Sequence, residues 1–222
     1  MRVFLDAFYG LDHCLGRGYR GLALVLLGMA VGWWVYVPLH ELLHAAACLA
    51  AGGEVTRLEI APLYGGGLLA RIFPFVVAGG EYAGRLSGFD THGNDLIYLA
   101  TDFGPFLLTL FPGVWLLRRA GAAGWPLLFG LSLPFALAPF LSLPGDAYEI
   151  GSILVTQLPG WDDVLRGDDI VKKAQELTGL PDPPWGGFVL AALVGIVWAV
   201  LTCMAGGAVA RALGRGPVPR RE

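Results

Sequence analysis

The stretch WWVYVPLHELLHAAACLAAGG, residues 33–53, sets two histidines and a glutamate inside an otherwise apolar run. Placing His40, Glu41 and His44 there is costly, since a charge at a bilayer centre is disfavoured by roughly 2.5–3.5 kcal/mol on insertion scales. Residues of this kind face a protein interior and have partners there. The surrounding apolar block runs from about Leu22 to Ala51. It exceeds the roughly 20 residues that a spanning helix needs, and Gly52-Gly53 is a natural terminator.

The rest of the chain repeats this pattern. Of 222 residues, 55% are hydrophobic and only 15% charged, with a mean hydropathy of +0.62. Soluble domains carry about 25% charged residues. A second apolar block runs from Leu96 to Leu117 and is closed by Arg118-Arg119. A third starts near Gly124 and stays mostly apolar to about Leu158, interrupted by Pro126, Pro134, Pro139 and Pro144 and carrying Asp146 and Glu149. The last runs from Trp185 to about Leu213. The predicted fold is an all-α polytopic membrane protein in one membrane-embedded domain, residues 1–222. About four transmembrane helices are expected, the third broken by its prolines.

Three segments lie between or before the spans. Residues 1–21 contain Asp6, Asp12 and His13, lack a signal peptide's unbroken apolar core, and suit an N-terminal interfacial segment. Residues 54–95 hold short β-branched runs broken by Gly65-Gly66-Gly67 and Gly79-Gly80, which predicts a β-hairpin or re-entrant element. Residues 159–184 read as an extramembrane amphipathic segment with a Pro-rich exit. Cys14, Cys48 and Cys203 form neither a disulfide framework nor a CxxC metal motif and read as packing residues. A net charge of −3 argues against a nucleic-acid surface.

With four spans and both termini in the cytoplasm, the cytoplasmic segments hold nine basic residues: Arg2, Arg17, Arg20, Arg118, Arg119, Arg211, Arg215, Arg220 and Arg221. The outer segments hold the other six. Positively charged loops favour the cytoplasm, so the expectation is a multi-pass integral membrane protein with cytoplasmic N- and C-termini.

His40 and His44 are four residues apart and project from one helical face. Two imidazoles so placed can bind one Zn²⁺, and Glu41 beside them can take a proton from a water on the metal. A neutral imidazole supplies a lone pair without adding charge to a dry site. A catalytic zinc needs a third protein ligand, and the candidates are Asp146, Glu149, Asp102 and His92. The HELLH residues lie 19 to 23 positions into their block and Asp146 about 23 into its own. On spans running the same way these depths match, which favours Asp146. Glu149 shares Asp146's helical face and is the alternative third ligand or a supporting group. Asp102 could orient a ligand histidine, and His92 reads as a loop residue.

These residues resemble the site-2 protease family of intramembrane zinc metalloproteases. Members carry HExxH on one core transmembrane helix, Gly-Pro in the next, and an Asp in a Pro-rich, broken third. This chain shows HELLHAAACLAAGG at 40–53, FGP at 103–105 and LAPFLSLPGDAYEIGS at 137–152, so the likeness covers roughly residues 30 to 157. The resemblance implies His40, His44 and Asp146 as ligands of one Zn²⁺ and Glu41 as general base. Where the family usually shows Leu-Asp-Gly, this chain has Gly145-Asp146-Ala147. Where an Asn commonly sits eight residues earlier, it has Ala138, which leaves Ser142 as a loose candidate for that role. The implied activity is hydrolysis of a peptide bond in a transmembrane protein substrate, within or beside the lipid bilayer. Two other readings accommodate the same residues. One is a zinc-binding pseudoprotease or chaperone without peptidase activity. The other is a metal or ion transporter, which would need polar residues spread along a through-path.

Overall fold

A computed structural model describes residues 2–161 and 163–220. Arg221, counted above among the cytoplasmic arginines, and Asp162 of the 159–184 segment lie outside the described residues.

The chain is mostly helical, with one small sheet. It opens with α1 (Arg2–Leu15), α2 (Tyr19–Ala50) and β1 (Glu54–Ile60). A short α3 (Gly66–Leu69) leads to β2 (Val76–Ala78) and β3 (Gly84–Asp90). Then follow α4 (Asp95–Phe103), α5 (Val114–Ala123), α6 (Pro126–Ala136), a short α7 (Ala138–Leu141) and α8 (Asp146–Thr156). The chain ends with α9 (Ile170–Thr178) and α10 (Trp185–Ala212).

Among the described residues, three helical stretches are long and apolar enough to cross a membrane: Tyr19–Ala50, Asp95–Ala123 and Trp185–Ala212. Many of their outward side chains are large and apolar, among them Leu26, Leu27, Trp34, Val189, Val197 and Leu201. Such a surface suits hydrocarbon better than water. The third apolar block is not a fourth long helix. It is broken into α6, α7 and α8, as its prolines lead one to expect.

Two expectations are corrected. The second block does not end at Leu117. It continues through α5 to Ala123 and stops where Gly124 turns left-handed at φ 59°. Arg118 is therefore not a loop charge but a fully buried helix residue. Nor do residues 54–95 form a hairpin. The strand order is β2-β1-β3, with β2 parallel to β1 and β3 antiparallel to it. A parallel pair needs a crossover, and residues 61–75 supply it.

Glycine seams set the helix spacing. A Cβ on Gly28 would stand 2.1 Å from the Leu127 carbonyl oxygen, and one on Gly32 would stand 2.5 Å from that of Leu131. With backbones this close, α2 and α6 run side by side in the same direction. Tyr36 meets Phe135 one turn further on. A second seam, antiparallel, joins α8 to α10: Gly151 lies against Ala191, and Gly195 against Ala147. Between these seams the chain breaks at residues 137–145 and restarts at Asp146, so Asp146 is delivered opposite the HELLH turn of α2.

At the other end of the molecule, α1, α5 and α10 meet around a buried ion pair. Arg118 Nε donates to Asp6 Oδ2 at 2.7 Å, with both side chains 1% exposed. Asp6 Oδ1 accepts from the Val218 N–H, so the two ends of the described chain lie together.

A candidate metal centre beside a glutamate

α2 carries Tyr36, His40 and His44 on successive turns of one face. Both imidazoles are anchored through Nδ1. His44 Nδ1 is 2.8 Å from the Thr101 carbonyl oxygen of α4, and His40 Nδ1 is 2.7 Å from the Tyr36 hydroxyl. A carbonyl only accepts, so His44 Nδ1 carries a proton and a neutral His44 presents its lone pair at Nε2. Where His40 Nδ1–H donates to the phenol oxygen, His40 Nε2 presents a second lone pair.

The two Nε2 atoms are 3.1 Å apart. Asp146 caps them: its Oδ2 lies 3.2 Å from His40 Nε2 and its Oδ1 3.5 Å from His44 Nε2. The ligand atoms of these three residues all lie within 4.8 Å of one another, as a metal-holding group requires. Among the described residues, the buried Asp146 Oδ2 has no partner with hydrogen-bond geometry. With both imidazoles neutral, their Nε2 lone pairs and the carboxylate repel one another, and a cation among them reverses the sign. The donor set therefore fits a metal ion.

Close approach explains two local glycines. Gly104, in the FGP turn after α4, would put a Cβ 2.4 Å from the Leu43 carbonyl oxygen, so only glycine lets α4 and the turn after it come this near α2. Gly84 on β3 faces Glu41: a Cβ there would stand 2.3 Å from Glu41 Cγ. Leu86, two residues on, lines the same cavity as Glu41. The strand thus cradles the glutamate beside the histidines.

His40, Glu41, His44, Gly84, Leu86 and Asp146 line one cavity of about 500 Å³. Asp102 and Glu149 also face it but stand outside the metal-holding group. Glu149 accepts a short hydrogen bond from the Tyr98 hydroxyl, and buried Asp102 Oδ2 has no partner among the described residues. His92 is not brought to the site; it sits at φ 52° in a loop against Asp90. His13 binds the Gly121 carbonyl. The cysteines are buried and free, and burial pushes the Cys14 thiol up to about 11, which suits packing rather than reactivity.

Residues 166–169 and Lys172 of the 159–184 segment line the same cavity. Arg166 holds Asp95 through two bonds, of 2.7 and 2.9 Å. That grip binds the guanidinium's proton more tightly than usual. Arg85 pairs with Asp168, Lys172 with the Tyr82 hydroxyl, and the Ile170 N–H with the Pro144 carbonyl.

Sequence reasoning missed Tyr36, Thr101 and Gly84. Tyr36 was visible as the residue one turn before His40. Thr101 acts through its backbone and Gly84 through its missing side chain, so neither left a sequence signal.

No protein-family model matches the chain, no curated protein matches its sequence, and no solved structure matches it.

Proposed function

We propose that the chain is an intramembrane zinc metalloprotease, with His40, His44 and Asp146 holding one Zn²⁺ and Glu41 as general base. The supporting observation is the convergence of two imidazole Nε2 atoms and one carboxylate, within 4.8 Å, beside a glutamate in a cavity. Two His and one carboxylate, leaving a position open, is a donor set of catalytic zinc. When bound, zinc polarises a carbonyl and lowers the pKa of water to about 7.

The protein's own residues do the rest. Thr101 and Tyr36 fix the imidazole orientations through Nδ1. A Glu41 carboxylate oxygen takes a proton from the attacking water as the new C–O bond forms. It returns that proton to the amine nitrogen as the C–N bond breaks. The outer edge of β3 is unpaired among the described strands, and Gly84 and Leu86 of that strand line the cavity. An unwound substrate segment can add to that edge, which holds its peptide bonds extended. Substrates are transmembrane proteins, and the arginine-rich end, with both termini, faces the cytoplasm.

The test combines metal analysis with cleavage of quenched fluorescent transmembrane peptides. Wild type should hold one zinc per chain and cleave. Glu41→Gln should keep the zinc and lose cleavage by about 10²–10⁴-fold. His44→Ala should lose both. Unchanged cleavage by Glu41→Gln, or active protein free of metal, defeats the proposal. Zinc-loaded wild type that cleaves no transmembrane peptide favours the pseudoprotease.

A further inference from the structure

A second cavity, of about 220 Å³, lies at the far end of the molecule. Arg2, Arg118 and Arg211 line it, with Val3, Cys203, Met204 and Gly207, and no acidic residue among the described residues does. Arg118 is 1% exposed. Its Nε is taken by Asp6, and its Nη1 by the carbonyls of Gly207 and Arg215. Its Nη2 is buried and has no partner among the described residues. That nitrogen points over Gly207: it lies 3.2 Å from where a Gly207 Cβ would stand, and Arg211 Nη1 lies 3.9 Å from the same point. Two guanidinium groups thus converge on one glycine, and a third lines the same cavity. Asp6, the carboxylate that pairs with Arg118 among the described residues, already accepts from Arg118 and from Val218.

We propose that this cavity binds the phosphate of an anionic phospholipid head group. Buried N–H groups in excess of acceptors are costly to leave unmade, and guanidinium forks match phosphate geometry. The surroundings select a lipid over a soluble anion. Met204 is 58% exposed and Leu201 52% exposed on the adjoining face of α10, a helix long and apolar enough to span a membrane. A head group seated on the arginines would lay its acyl chains along that face. Basic pockets between membrane helices bind anionic head groups in this way.

The test uses full-length protein in neutral detergent, with binding followed by native mass spectrometry. The probes are dioleoyl phosphatidylglycerol, dioleoyl phosphatidylcholine and inorganic phosphate. The glycerol lipid should bind saturably, the choline lipid more weakly, and an equal concentration of inorganic phosphate should not displace either. Arg211→Ala and Arg2→Ala, both at exposed positions, should each weaken binding about fivefold. Arg17→Ala and Arg20→Ala, exposed but outside the cavity, should not. Thermal melting confirms that each variant is folded. Unchanged binding by the Arg2→Ala/Arg211→Ala double variant overturns the proposal, as does equal binding of the two lipids. Displacement by inorganic phosphate at equal concentration would make this a soluble-phosphate site and overturn the lipid assignment.

Discussion

His40, His44 and Asp146 form one polar cluster, largely buried with the Asp146 side chain 17% exposed, and Asp6 and Arg118 form another, fully buried. Twelve residues of α10, about 18 Å of helix, separate Gly195, which touches Ala147 beside Asp146, from Gly207, which touches Arg118. Each cluster joins helices distant in sequence, and each centres on an aspartate. They differ in what they lack. At Asp6, a cation is already supplied by the chain at 2.7 Å, and the surplus is of N–H groups. At Asp146, no arginine or lysine among the described residues pairs with the carboxylate: it faces two imidazole Nε2 atoms at 3.2 and 3.5 Å, whose lone pairs oppose it when the imidazoles are neutral. A buried carboxylate with its counter-charge built in holds the fold together. On the proposed reading, one without it takes its charge from outside.

Removing each aspartate in turn should give the largest and most opposed effects. Asp6→Ala strands Arg118 without its counter-charge, and breaking a buried pair costs about 3–5 kcal/mol. Melting in detergent should fall sharply while any folded fraction still binds metal. Asp146→Ala removes one member of a mutually repelling set, so melting in the presence of chelator should hardly change, while zinc binding and cleavage are lost. Should Asp146→Ala destabilise the metal-free protein as much as Asp6→Ala does, both aspartates are structural and the contrast fails.

Next in size is Gly84→Ala. The added methyl, 2.3 Å from Glu41 Cγ, must displace the side chain or β3. A misplacement of about 1 Å in catalytic geometry can cost about 10²-fold, so cleavage should fall by about that much with metal content intact. Loss of metal instead would mean that the strand supports the histidines rather than the glutamate. Tyr36→Phe acts on the other side of the site. It removes the oxygen against His40 Nδ1 and should weaken zinc affinity about 10–100-fold, measured by competition with a chromogenic chelator. An unchanged affinity would show that His40 is held by packing alone.

How legible the two clusters were in the sequence follows from the same contrast. HELLH declares itself because helical periodicity alone puts His40 and His44 on one face. Asp146 was reachable through the matched depth of two apolar blocks, and the parallel course of α2 and α6 accounts for that match. The Asp6–Arg118 pair left no local trace. Its partners are 112 residues apart, and Arg118 read as the flank of a span because adjacent arginines usually mark a membrane boundary. The breaks in the third block followed from its prolines, whereas the parallel β1–β2 pairing did not follow from its glycines. Turn residues say where a chain bends, not which strand it returns to.

The smallest effect belongs to the exposed counterpart of these buried pairs. Arg85 Nη2 donates to Asp168 Oδ2 at 2.8 Å, and the two side chains are 43% and 53% exposed. Exposed pairs contribute about 0.2–1 kcal/mol, so Arg85→Ala should barely move the melting temperature. The difference from wild type should vanish near 1 M salt, where the Debye length is about 3 Å. Yet this pair ties the 159–184 segment to β3, one residue from Gly84, and both of its members line the cavity. Loosening it should therefore register in substrate access: KM should change while kcat and zinc content stay constant. A fall in kcat instead would place Arg85 among the groups that act on the reacting bond, and the division between a paired, structural charge and an unpaired, functional one would not extend to the surface.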